Sequence, residues 1–361
     1  MKRKSVFLCI PTLSCAGAER FVTELACSVD RDRFDVKVLV TKIFDTESAF
    51  YQKLVSAGIT VVDATAKHYL KQIGLLVKLL NKDRPEIVHT NVSSALYMII
   101  PIALAKGKIA HLFTVHSMGY RIFNGFKKRL MQFCFHKKMI VPVAICDAVK
   151  KSLCDAYALS ENMVELVYNG VDTKAFQADP QVERTGKTFI NVGTLYYIKN
   201  QKFLIDAFRI VTEKDDEAKL LLVGDGEMRE ELESYSESLG LDKKISFLGK
   251  CSNVVQHLSS ADVYCCSSLV EGFSLSSLEA MACSLPVVTT RAGGMVDIVR
   301  DGVNGFVVDF DVEQFAEKML ILLKQKALRE EMAKNAVQIA VQFDLSECAK
   351  GYELLYEKYA R

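Results

Sequence analysis

The chain alternates from end to end between short, continuously apolar runs and longer amphipathic runs. A continuously apolar run is typical of a strand buried on both faces of a parallel sheet, and the amphipathic runs are typical of crossover helices. The pattern therefore predicts repeated β-α-β units. In the first half the predicted strands are 5–10, 35–40, 87–90, 112–115 and 141–145, and the predicted helices are 18–29, 48–57, 69–83 and 127–138.

The same pattern restarts after a polar stretch, 172–187, which we interpret as a linker. We therefore predict an α/β protein with two Rossmann-like, doubly wound parallel-sheet domains over 1–172 and 173–344. Ligands of such sheets bind beyond the carboxyl ends of the strands, so we expect a cleft between the domains. The second set of predicted strands is 188–192, 219–223, 245–248, 263–266, 287–289 and 305–308, followed by helices 312–323, 327–342 and 346–359.

Composition and charge narrow the class of protein. Half of the 361 residues are apolar and 25% are charged, as in packed globular proteins. The formal net charge of +2 argues against a dedicated nucleic-acid binder. However, 25 basic and 15 acidic residues up to Ala178 give +10, and the remaining 21 and 29 give −8. The basic half suits membrane phosphates, nucleic acid or an anionic acceptor, unless the unevenness is chance.

The cysteines and the apolar stretches indicate the cellular compartment in which the protein is found. The eleven cysteines lie mostly in apolar runs without a CxxC pair, as expected of reduced thiols in the cytosol. Residues 1–10 predict a first strand rather than a signal peptide, because the apolar run is short and ends at Pro11. The longest apolar stretch, 95–105, contains Pro101 and is too short to span a bilayer. We expect a cytoplasmic protein without a transmembrane segment.

The most informative local motif is EGFSLSSLE at 271–279, directly after a predicted strand. Gly272 permits close backbone approach, and the amides of Phe273, Ser274 and Leu275 at a helix N-terminus favour a phosphate or a sugar oxygen. Glu271 and Glu279 are then two separate ligand clamps, or else ordinary solvated helix charges. They are not the carboxylate pair of a glycosidase, because eight residues of helix span about 12 Å.

A second motif, at 191–200, leaves a predicted strand through Gly193 and brings Lys199 to the start of the next helix. A cation beside unsatisfied amide groups suits a diphosphate, whereas the alternative is an ordinary surface lysine. Near the N-terminus, Gly17 opens a helix directly after the first strand, which is a weaker signal of the same kind. His116 follows a predicted strand and is either a ligand for a hydroxyl or phosphate or a structural histidine.

Several other patterns argue against alternative chemistries. The histidines have no metal-ligand spacing, so we predict no structural zinc. The DxD strings at 30–32 and 309–311 are interpreted as helix and turn caps rather than metal ligands. In the sequence after Gly224, Arg229 stands where GxGxxG requires glycine, and no GxSxG occurs. Hydride transfer to a dinucleotide and covalent serine hydrolysis therefore have little support.

The segment 120–139 interleaves six basic residues with large apolar ones. Such a stretch can lie on an anionic membrane surface, here the inner membrane, or it can be a crossover helix that packs one face on the sheet. Both interpretations can hold together.

Taken together, the motifs resemble the family 4 glycosyltransferases, retaining enzymes of the two-domain GT-B fold. The resemblance extends over nearly the whole chain and is most specific in the second half. The matching segments are GAER at 17–20, TVHS at 114–117, VYNGVD at 167–172, the loop 193–200, EGFSLSSLE at 271–279 and the glycine pair 293–294.

The resemblance implies a role for each matching residue. Lys199 would hold the donor diphosphate in the loop that begins with Gly193 and Thr194. Glu279 would bond the ribose hydroxyls, and Glu271 would lie beside the donor sugar. The amides of 273–275 would bond sugar hydroxyls or phosphate.

In the first domain, the resemblance implies that Gly17 lets a loop approach the diphosphate and that His116 contacts the transferred sugar. A final helix at about 345–361 would pack back on this domain. The expected enzyme moves a hexose or N-acetylhexosamine from a nucleotide sugar, which we expect to be a UDP-sugar, to a lipid-linked or saccharide acceptor of a surface polysaccharide. It would act at the cytoplasmic face of the membrane, without a metal or other cofactor and without nucleic acid.

One departure from the family pattern is Thr194, which stands where the family usually has arginine. One phosphate-binding cation is therefore missing. The other clamp residues are present, which favours an active enzyme. The alternatives are a sugar-nucleotide epimerase of the same architecture and a non-catalytic, glycosyltransferase-like binding subunit.

Overall fold

The computed structural model describes residues 3–14, 17–251 and 253–360. The chain divides into two compact units. The first comprises the chain up to Gly170 together with the segment from Leu345 onward, and the second comprises Val171–Asp344. Each unit contains one parallel sheet with helices between its strands, as the alternating pattern predicts.

The first unit has a seven-stranded sheet in the order β3-β2-β1-β4-β5-β6-β7, and every pair is parallel. The strand order reverses between β1 and β4, which makes their carboxyl ends the switch point of this sheet. The strands are β1 Lys4–Ile10, β2 Phe34–Val40, β3 Thr60–Asp63, β4 Ile87–Asn91, β5 Ala110–Val115, β6 Val141–Ala144 and β7 Glu165–Leu166.

Two of these strands, β3 and β7, are missing from the sequence prediction. Both are edge strands, and none of their residues is fully buried. An edge strand does not need the continuous apolar run by which a central strand is recognised. The prediction of five strands in this half was therefore wrong at the two edges of the sheet.

The helices of the first unit begin and end close to the predicted positions. Ser48 caps α2 by accepting a hydrogen bond from the Tyr51 amide at 3.2 Å. Helices α4 and α6 were not among the predicted helices, and α4 contains Pro101 in its last turn. The helices are α1 Gly17–Ser28, α2 Ala49–Ser56, α3 Tyr69–Asp83, α4 Ser94–Leu104, α5 Gly125–His136 and α6 Asp147–Tyr157.

The second unit has a six-stranded parallel sheet in the order β10-β9-β8-β11-β12-β13, and its order reverses between β8 and β11. Its strands are β8 Thr188–Val192, β9 Lys219–Val223, β10 Ile245–Gly249, β11 Val263–Cys266, β12 Val287–Thr290 and β13 Gly305–Val308. Its helices are α7 Gln201–Thr212, α8 Arg229–Ser238, α9 Val254–Ser260, α10 Leu275–Ala282, α11 Met295–Ile298, α12 Val312–Lys324 and α13 Lys326–Gln342.

The last helix, α14 (Leu345–Tyr359), belongs to the first unit. Tyr352 and Tyr356 are fully buried, and the Tyr356 hydroxyl lies 2.8 Å from Nδ1 of His89 on β4. Glu353, which is 7% exposed, accepts hydrogen bonds from the Asp30 amide at 2.8 Å and from Arg33 at 2.7 Å. Aromatic packing and charged hydrogen bonds therefore hold this helix to the first sheet.

The polar stretch 172–187 contains no helix or strand. Nevertheless, Arg184 binds it into the second unit, because its guanidinium donates to the carbonyl oxygens of Ser259, Cys283 and Ser284 at 2.7–3.0 Å. The segment 172–187, which we interpreted as a linker, thus lies entirely within the second unit, Val171–Asp344. None of the described helices is both long enough and apolar enough to cross a membrane.

Candidate functional site

The switch point of the second sheet brings two sequence-predicted residues together. Lys199 lies in the loop after β8, and Glu271 lies in the loop after the neighbouring strand β11. The Lys199 Nζ is 2.6 Å from Glu271 Oε2. This ion pair lies where ligands of doubly wound sheets bind.

Two serines that the sequence analysis did not select hold this ion pair in place. Ser267 donates its hydroxyl to the Lys199 carbonyl at 2.9 Å, and Ser268 donates to Glu271 Oε2 at 3.0 Å. The amide of Leu269 also donates to the carbonyl of Ile198 at 2.8 Å. The available signal was a pair of serines directly after a buried strand, the second of them three residues before the glutamate.

Burial and charge act in opposite directions on Lys199. Burial lowers the pKa of its ammonium, but the neighbouring Glu271 carboxylate raises it, and the net pKa lies above its usual value. Lys199 is therefore a cation at neutral pH. About a quarter of its side chain remains accessible (27%), against 12% for Glu271. An anionic ligand can reach the ammonium, but it competes with Glu271 for it.

Helix α10 begins beside Glu271, as the motif predicts. Ser274 is the N-cap, and its hydroxyl accepts a hydrogen bond from the Ser277 amide at 3.3 Å. Leu275 is the first helical residue, and the Phe273 ring is buried against Phe343. The positive end of this helix dipole therefore lies next to the ion pair.

Glu279 lies inside α10 and is 3% exposed. The solvated-charge interpretation of this residue is therefore wrong, because water reaches little of the side chain. The glycine pair meets the same loop from the other side, since the Gly294 amide donates to the Glu271 carbonyl at 3.1 Å. Gly293 has a φ of 49°, which favours glycine.

The loop that starts at Gly193 packs against two further glycines. A Cβ at Gly224 would lie 1.9 Å from the Gly193 carbonyl oxygen, and one at Gly226 would lie 2.2 Å from that of Leu195. The loop is also tied to this segment by the hydrogen bond from the Leu195 amide to the Asp225 carbonyl at 3.1 Å. The incomplete GxG pattern thus serves close packing behind the loop.

Thr194 is exposed in this loop, and its carbonyl accepts a hydrogen bond from Gln201 Nε2 at 3.2 Å. The backbone is thus fixed at the position where the family usually has arginine. The side chain supplies a hydroxyl there and no charge.

In the first unit, His116 follows β5 at the carboxyl edge of the sheet. Its Nε2 lies 2.8 Å from Asn91 Oδ1, and the ring packs edge-on against Phe21 with centroids 4.9 Å apart. Burial lowers the pKa of His116 to about 3, so the imidazole is neutral at physiological pH. Because Nε2–H donates to the Asn91 oxygen, Nδ1 carries the lone pair and can accept from a hydroxyl.

Asn91 is a site residue that the sequence analysis missed. It ends β4, and its Nδ2 donates to the Cys9 carbonyl at 3.3 Å, which fixes its Oδ1 toward His116. Helix α1 begins at Gly17, where a Cβ would meet no atom within 4 Å. The close approach predicted for Gly17 therefore stays a prediction that concerns a ligand. The preceding Cys15 and Ala16 lie outside the described residues.

One carboxylate of each DxD string makes a local hydrogen bond, and Asp309 instead accepts from Arg291 Nε at 3.1 Å. Asp311 is the N-cap of α12 and accepts from the Gln314 amide at 2.9 Å, and Asp30 accepts from the Asp32 amide at 2.9 Å. Both bonds agree with the interpretation as caps and turns. Over the described ranges, no group of three or more histidine, cysteine, aspartate or glutamate side chains is arranged to hold a metal ion. Metal independence stays a prediction.

Comparisons with known proteins match both halves of the chain. Residues 16–175 match the family model "Glycosyltransferase Family 4", and residues 172–338 match "Glycosyl transferases group 1". A phosphatidyl-myo-inositol mannosyltransferase of Mycobacterium leprae is 30% identical over 72% of this chain and 69% of its own. A UDP-Gal:α-D-GlcNAc-diphosphoundecaprenol α-1,3-galactosyltransferase of Escherichia coli is 24% identical over 90% of this chain and 89% of its own.

Other matches are shorter or concern the fold. The chain spans about half the length (53%) of the N-acetyl-α-D-glucosaminyl L-malate synthase of Bacillus anthracis, with 30% identity over 54% of this chain. The crystal structure of Anabaena HepE in complex with UDP and glucose has a TM-score of 0.84 at 22% identity and covers 99% of this chain and 100% of its own. The predicted fold class is confirmed by this likeness. The chain belongs to glycosyltransferase family 4 and has the two parallel-sheet α/β domains of the GT-B fold.

Proposed function

We propose that this chain is a retaining, metal-independent glycosyltransferase that moves a hexose or N-acetylhexosamine from a UDP-sugar to a lipid-linked or saccharide acceptor in surface polysaccharide biosynthesis. The observation that carries the proposal is the Lys199–Glu271 ion pair at the start of α10. A UDP and glucose complex of a structural neighbour and the diphosphoundecaprenol acceptor named for a relative support the two substrate classes.

The leaving group explains why this geometry suits the reaction. When the bond between C1 of the sugar and the diphosphate oxygen breaks, the electron pair moves to the diphosphate and its negative charge grows. The Lys199 ammonium and the amide groups at the start of α10 stabilise that charge. Amide dipoles and an ammonium provide this stabilisation without a metal ion.

Retention of configuration requires the acceptor hydroxyl to attack the same face of C1 from which the diphosphate departs. The new bond joins C1 to the acceptor oxygen, and the proton of the hydroxyl passes to the leaving phosphate oxygen. Glu271 binds the sugar in this scheme rather than attacking C1. Lys199 passes from Glu271 to the diphosphate, and Ser268 still holds the Glu271 Oε2. In this scheme, Nδ1 of the neutral His116 accepts a hydrogen bond from a hydroxyl of the transferred sugar.

A transfer assay with UDP-sugars in excess EDTA tests the proposal. We expect a disaccharide product whose anomeric configuration, read by NMR coupling constants, equals that of the donor. An inverted product would contradict retention, and activity only after a divalent metal is restored would contradict metal independence. Turnover of the donor to an epimer without any acceptor would instead identify the epimerase.

Thr194 favours one second candidate, a non-catalytic binding subunit, because the loop lacks the arginine of the family pattern. The variant Thr194→Arg distinguishes the two. For the enzyme, whose site is adapted to threonine, we expect unchanged or weaker UDP affinity. A large gain in UDP affinity, together with no transfer by the wild type, would favour the binding subunit.

We also propose that the protein acts at the cytoplasmic face of the inner membrane through the segment 120–139. Helix α5 contains no acidic residue, and its inner face packs on the unit through Met131, Cys134 and Phe135. Its outer face exposes Phe126 (80%) and Phe133 (55%). Exposed aromatic rings beside cations are typical of helices that bind an anionic lipid surface.

Vesicle sedimentation tests the membrane proposal. We expect binding to vesicles with 30% phosphatidylglycerol and little binding to pure phosphatidylcholine. The double variant Arg129→Glu/Lys137→Glu, which reverses two exposed charges of the segment, should release the protein from anionic vesicles. A matched double reversal on the second unit, Lys214→Glu/Lys243→Glu, should have little effect. Equal binding by both double variants would contradict this role of the segment.

A further inference from the structure

A cavity of about 480 Å³ lies in the first unit among the N-terminal ends of α3, α4 and α5. These helices follow β3, β4 and β5, so the cavity lies at the carboxyl edge of the sheet, the edge that also carries His116. Its volume is within the range of about 300–1,000 Å³ typical of small-molecule sites. Of its lining residues, the roles assigned above use only Lys127, which belongs to the segment 120–139 proposed for membrane binding.

The cavity wall is positively charged. Among the described residues that line it, only Lys67 and Lys127 are charged, and both are exposed. Among the residues that the structure describes, neither ammonium lies within ion-pair distance of a carboxylate. Two lysine ammonium groups without a neutralising partner favour a ligand with at least two negative charges, such as a diphosphate.

The aromatic part of the wall suits a ring or an alkenyl chain. Tyr69 and Tyr97 form an edge-to-face pair with centroids 6.0 Å apart, and Tyr69 is 46% exposed. Ser93 and Gln72 add polar groups, and Gln72 is held in place because its Nε2 donates to the Ala64 carbonyl at 2.9 Å. Tyrosine faces bind apolar ligand surfaces while the hydroxyl stays in contact with water.

A residue with a strained backbone lies in the chain between the cavity and the residue that holds His116. Val92 has a φ of 53°, although a β-branched residue strongly disfavours the left-handed region, and its side chain is 43% exposed. The strained residue stands between Asn91, which holds His116, and Ser93, which lines the cavity. Because two residues span at most about 7 Å, the cavity wall lies within that distance of the Asn91 backbone. Such strain is characteristic of functional sites.

We propose that the cavity binds the phosphate-bearing end of the acceptor, a saccharide linked through a diphosphate to a lipid. The diphosphate lies between the Lys67 and Lys127 ammonium groups, and the adjoining sugar or first isoprene unit packs on Tyr69 and Tyr97. The attacking hydroxyl is thereby directed toward the region of His116. This inference rests on the proposed function, because it names the acceptor class of the same reaction.

Two soluble acceptors with the same sugar test the inference. One is N-acetylglucosaminyl geranyl diphosphate, and the other is octyl α-N-acetylglucosaminide, which lacks the diphosphate. For the double variant Lys67→Ala/Lys127→Ala we expect kcat/KM to fall 30-fold or more with the diphosphate acceptor, mostly through KM, and less than 2-fold with the octyl glycoside. The affinity for UDP should not change, because the second unit binds it.

The control variant is Lys71→Ala, since Lys71 is an exposed lysine of α3 outside the cavity wall. It should leave kcat/KM unchanged for both acceptors. An equal loss with both acceptors, or no loss with the diphosphate acceptor, would overturn the inference.

A binding measurement keeps the inference separate from the proposed function. If the wild type transfers sugar to neither acceptor, calorimetric titration with N-acetylglucosaminyl geranyl diphosphate decides. Binding that the double variant weakens at least 10-fold supports the cavity even then, whereas binding that is absent or independent of the two lysines overturns it. Titration with inorganic pyrophosphate shows whether the diphosphate alone suffices; tighter binding of pyrophosphate than of the lipid probe would also overturn the inference.

Discussion

At the donor site, a cation and a carboxylate that are 72 residues apart in the chain form one ion pair, and two serines hold it in position. The pair keeps the partly buried Lys199 charged, because an isolated ammonium would lose its proton or its hydration at a cost of several kcal/mol. In the proposed function, a diphosphate that binds takes over the ammonium and leaves Glu271 available for the sugar hydroxyls. The proposal thus couples donor binding and sugar recognition through one contact.

The variant Glu271→Gln separates these two roles. We expect sugar transfer to fall 100-fold or more, because the neutral amide is a weaker acceptor for hydroxyls than the carboxylate, whose side chain is 12% exposed. UDP should bind as well as before or more tightly, because the amide does not compete for Lys199. Calorimetry with UDP and a steady-state transfer assay measure the two effects. The control Glu231→Gln, at an exposed position of α8, should change neither, and a full transfer rate in Glu271→Gln would refute this assignment of the site.

The hydrogen bond between Asn91 and His116 gives a prediction about pH. With Asn91, the pKa of His116 is about 3, so protonation of the ring does not affect activity between pH 5 and 8. In Asn91→Asp, the carboxylate stabilises the imidazolium and raises that pKa. Activity should then decline as the pH falls through the new pKa, because protonated Nδ1 cannot accept a hydrogen bond from a sugar hydroxyl. A pH–rate profile parallel to that of the wild type would show that Asn91 does not position His116.

At the scale of elements, the second sheet places Lys199 and Glu271 at its switch point, and the first sheet carries His116 after β5, one strand beyond its own switch point. In the second unit, glycines let the supporting loops approach one another. The segment 224–226 illustrates this. Its glycines leave room for the carbonyl oxygens of Gly193 and Leu195, so the shape of the donor loop depends on residues that do not touch the ligand.

The variant Gly226→Ala should therefore weaken UDP binding without a direct contact. Its Cβ would lie 2.2 Å from the Leu195 carbonyl oxygen, and relief requires movement of the loop. We expect a loss of about 1–3 kcal/mol in the free energy of unfolding, together with reduced UDP affinity. Denaturant unfolding and calorimetry measure both. The control is Gly74→Ala in α3, where nothing lies within 4 Å of the added Cβ, and it should stabilise the protein by about 0.5–1 kcal/mol. Unchanged UDP binding in Gly226→Ala would contradict the supporting role of this segment.

The sequence predicted central strands well because a strand buried on both faces must be apolar along its length. The central strands β8, β9 and β11 begin and end at the predicted residues, and so does the edge strand β13, of which three of the four residues are buried. The edge strands β3 and β7 escaped detection, since partial exposure removes that constraint. Likewise, Lys199 and Glu271 carry motif signals, whereas Ser267, Ser268 and Asn91 act through contacts across neighbouring strands, which a single sequence does not reveal.

At the scale of the whole molecule, the first unit contains three neutral, desolvated histidines. Burial lowers the pKa of His89, His111 and His116 to about 3. His89 also joins α14 to the sheet, because its two ring nitrogens lie 2.8 Å from the Tyr356 hydroxyl and 2.7 Å from that of Thr114. The docking of the last helix therefore depends on a histidine that must stay neutral.

This arrangement predicts acid sensitivity of the first unit. In the unfolded chain these histidines titrate near 6.5, so below that pH the unfolded state binds more protons than the folded state. Stability is complete above about pH 6.5 and is lost as the pH falls toward 3, by about 1.4 kcal/mol per pH unit for each histidine. Denaturant unfolding at pH 7, 6 and 5 measures this slope. The variant His89→Gln keeps a donor and an acceptor at this position. It should reduce the slope by the contribution of one histidine, about 1.4 kcal/mol per pH unit. An unchanged slope would show that His89 does not contribute.

The central claim is that Lys199 in the second unit holds the diphosphate of a nucleotide sugar. The most direct measurement is calorimetric titration of UDP, in EDTA, into the wild type and into Lys199→Met, which keeps the length of the side chain and removes its charge. We predict one-to-one binding by the wild type and at least 10-fold weaker binding by Lys199→Met, with the difference growing at low salt. Equal affinities of the two proteins, or UDP binding by the wild type only when a divalent metal is added, would contradict the account.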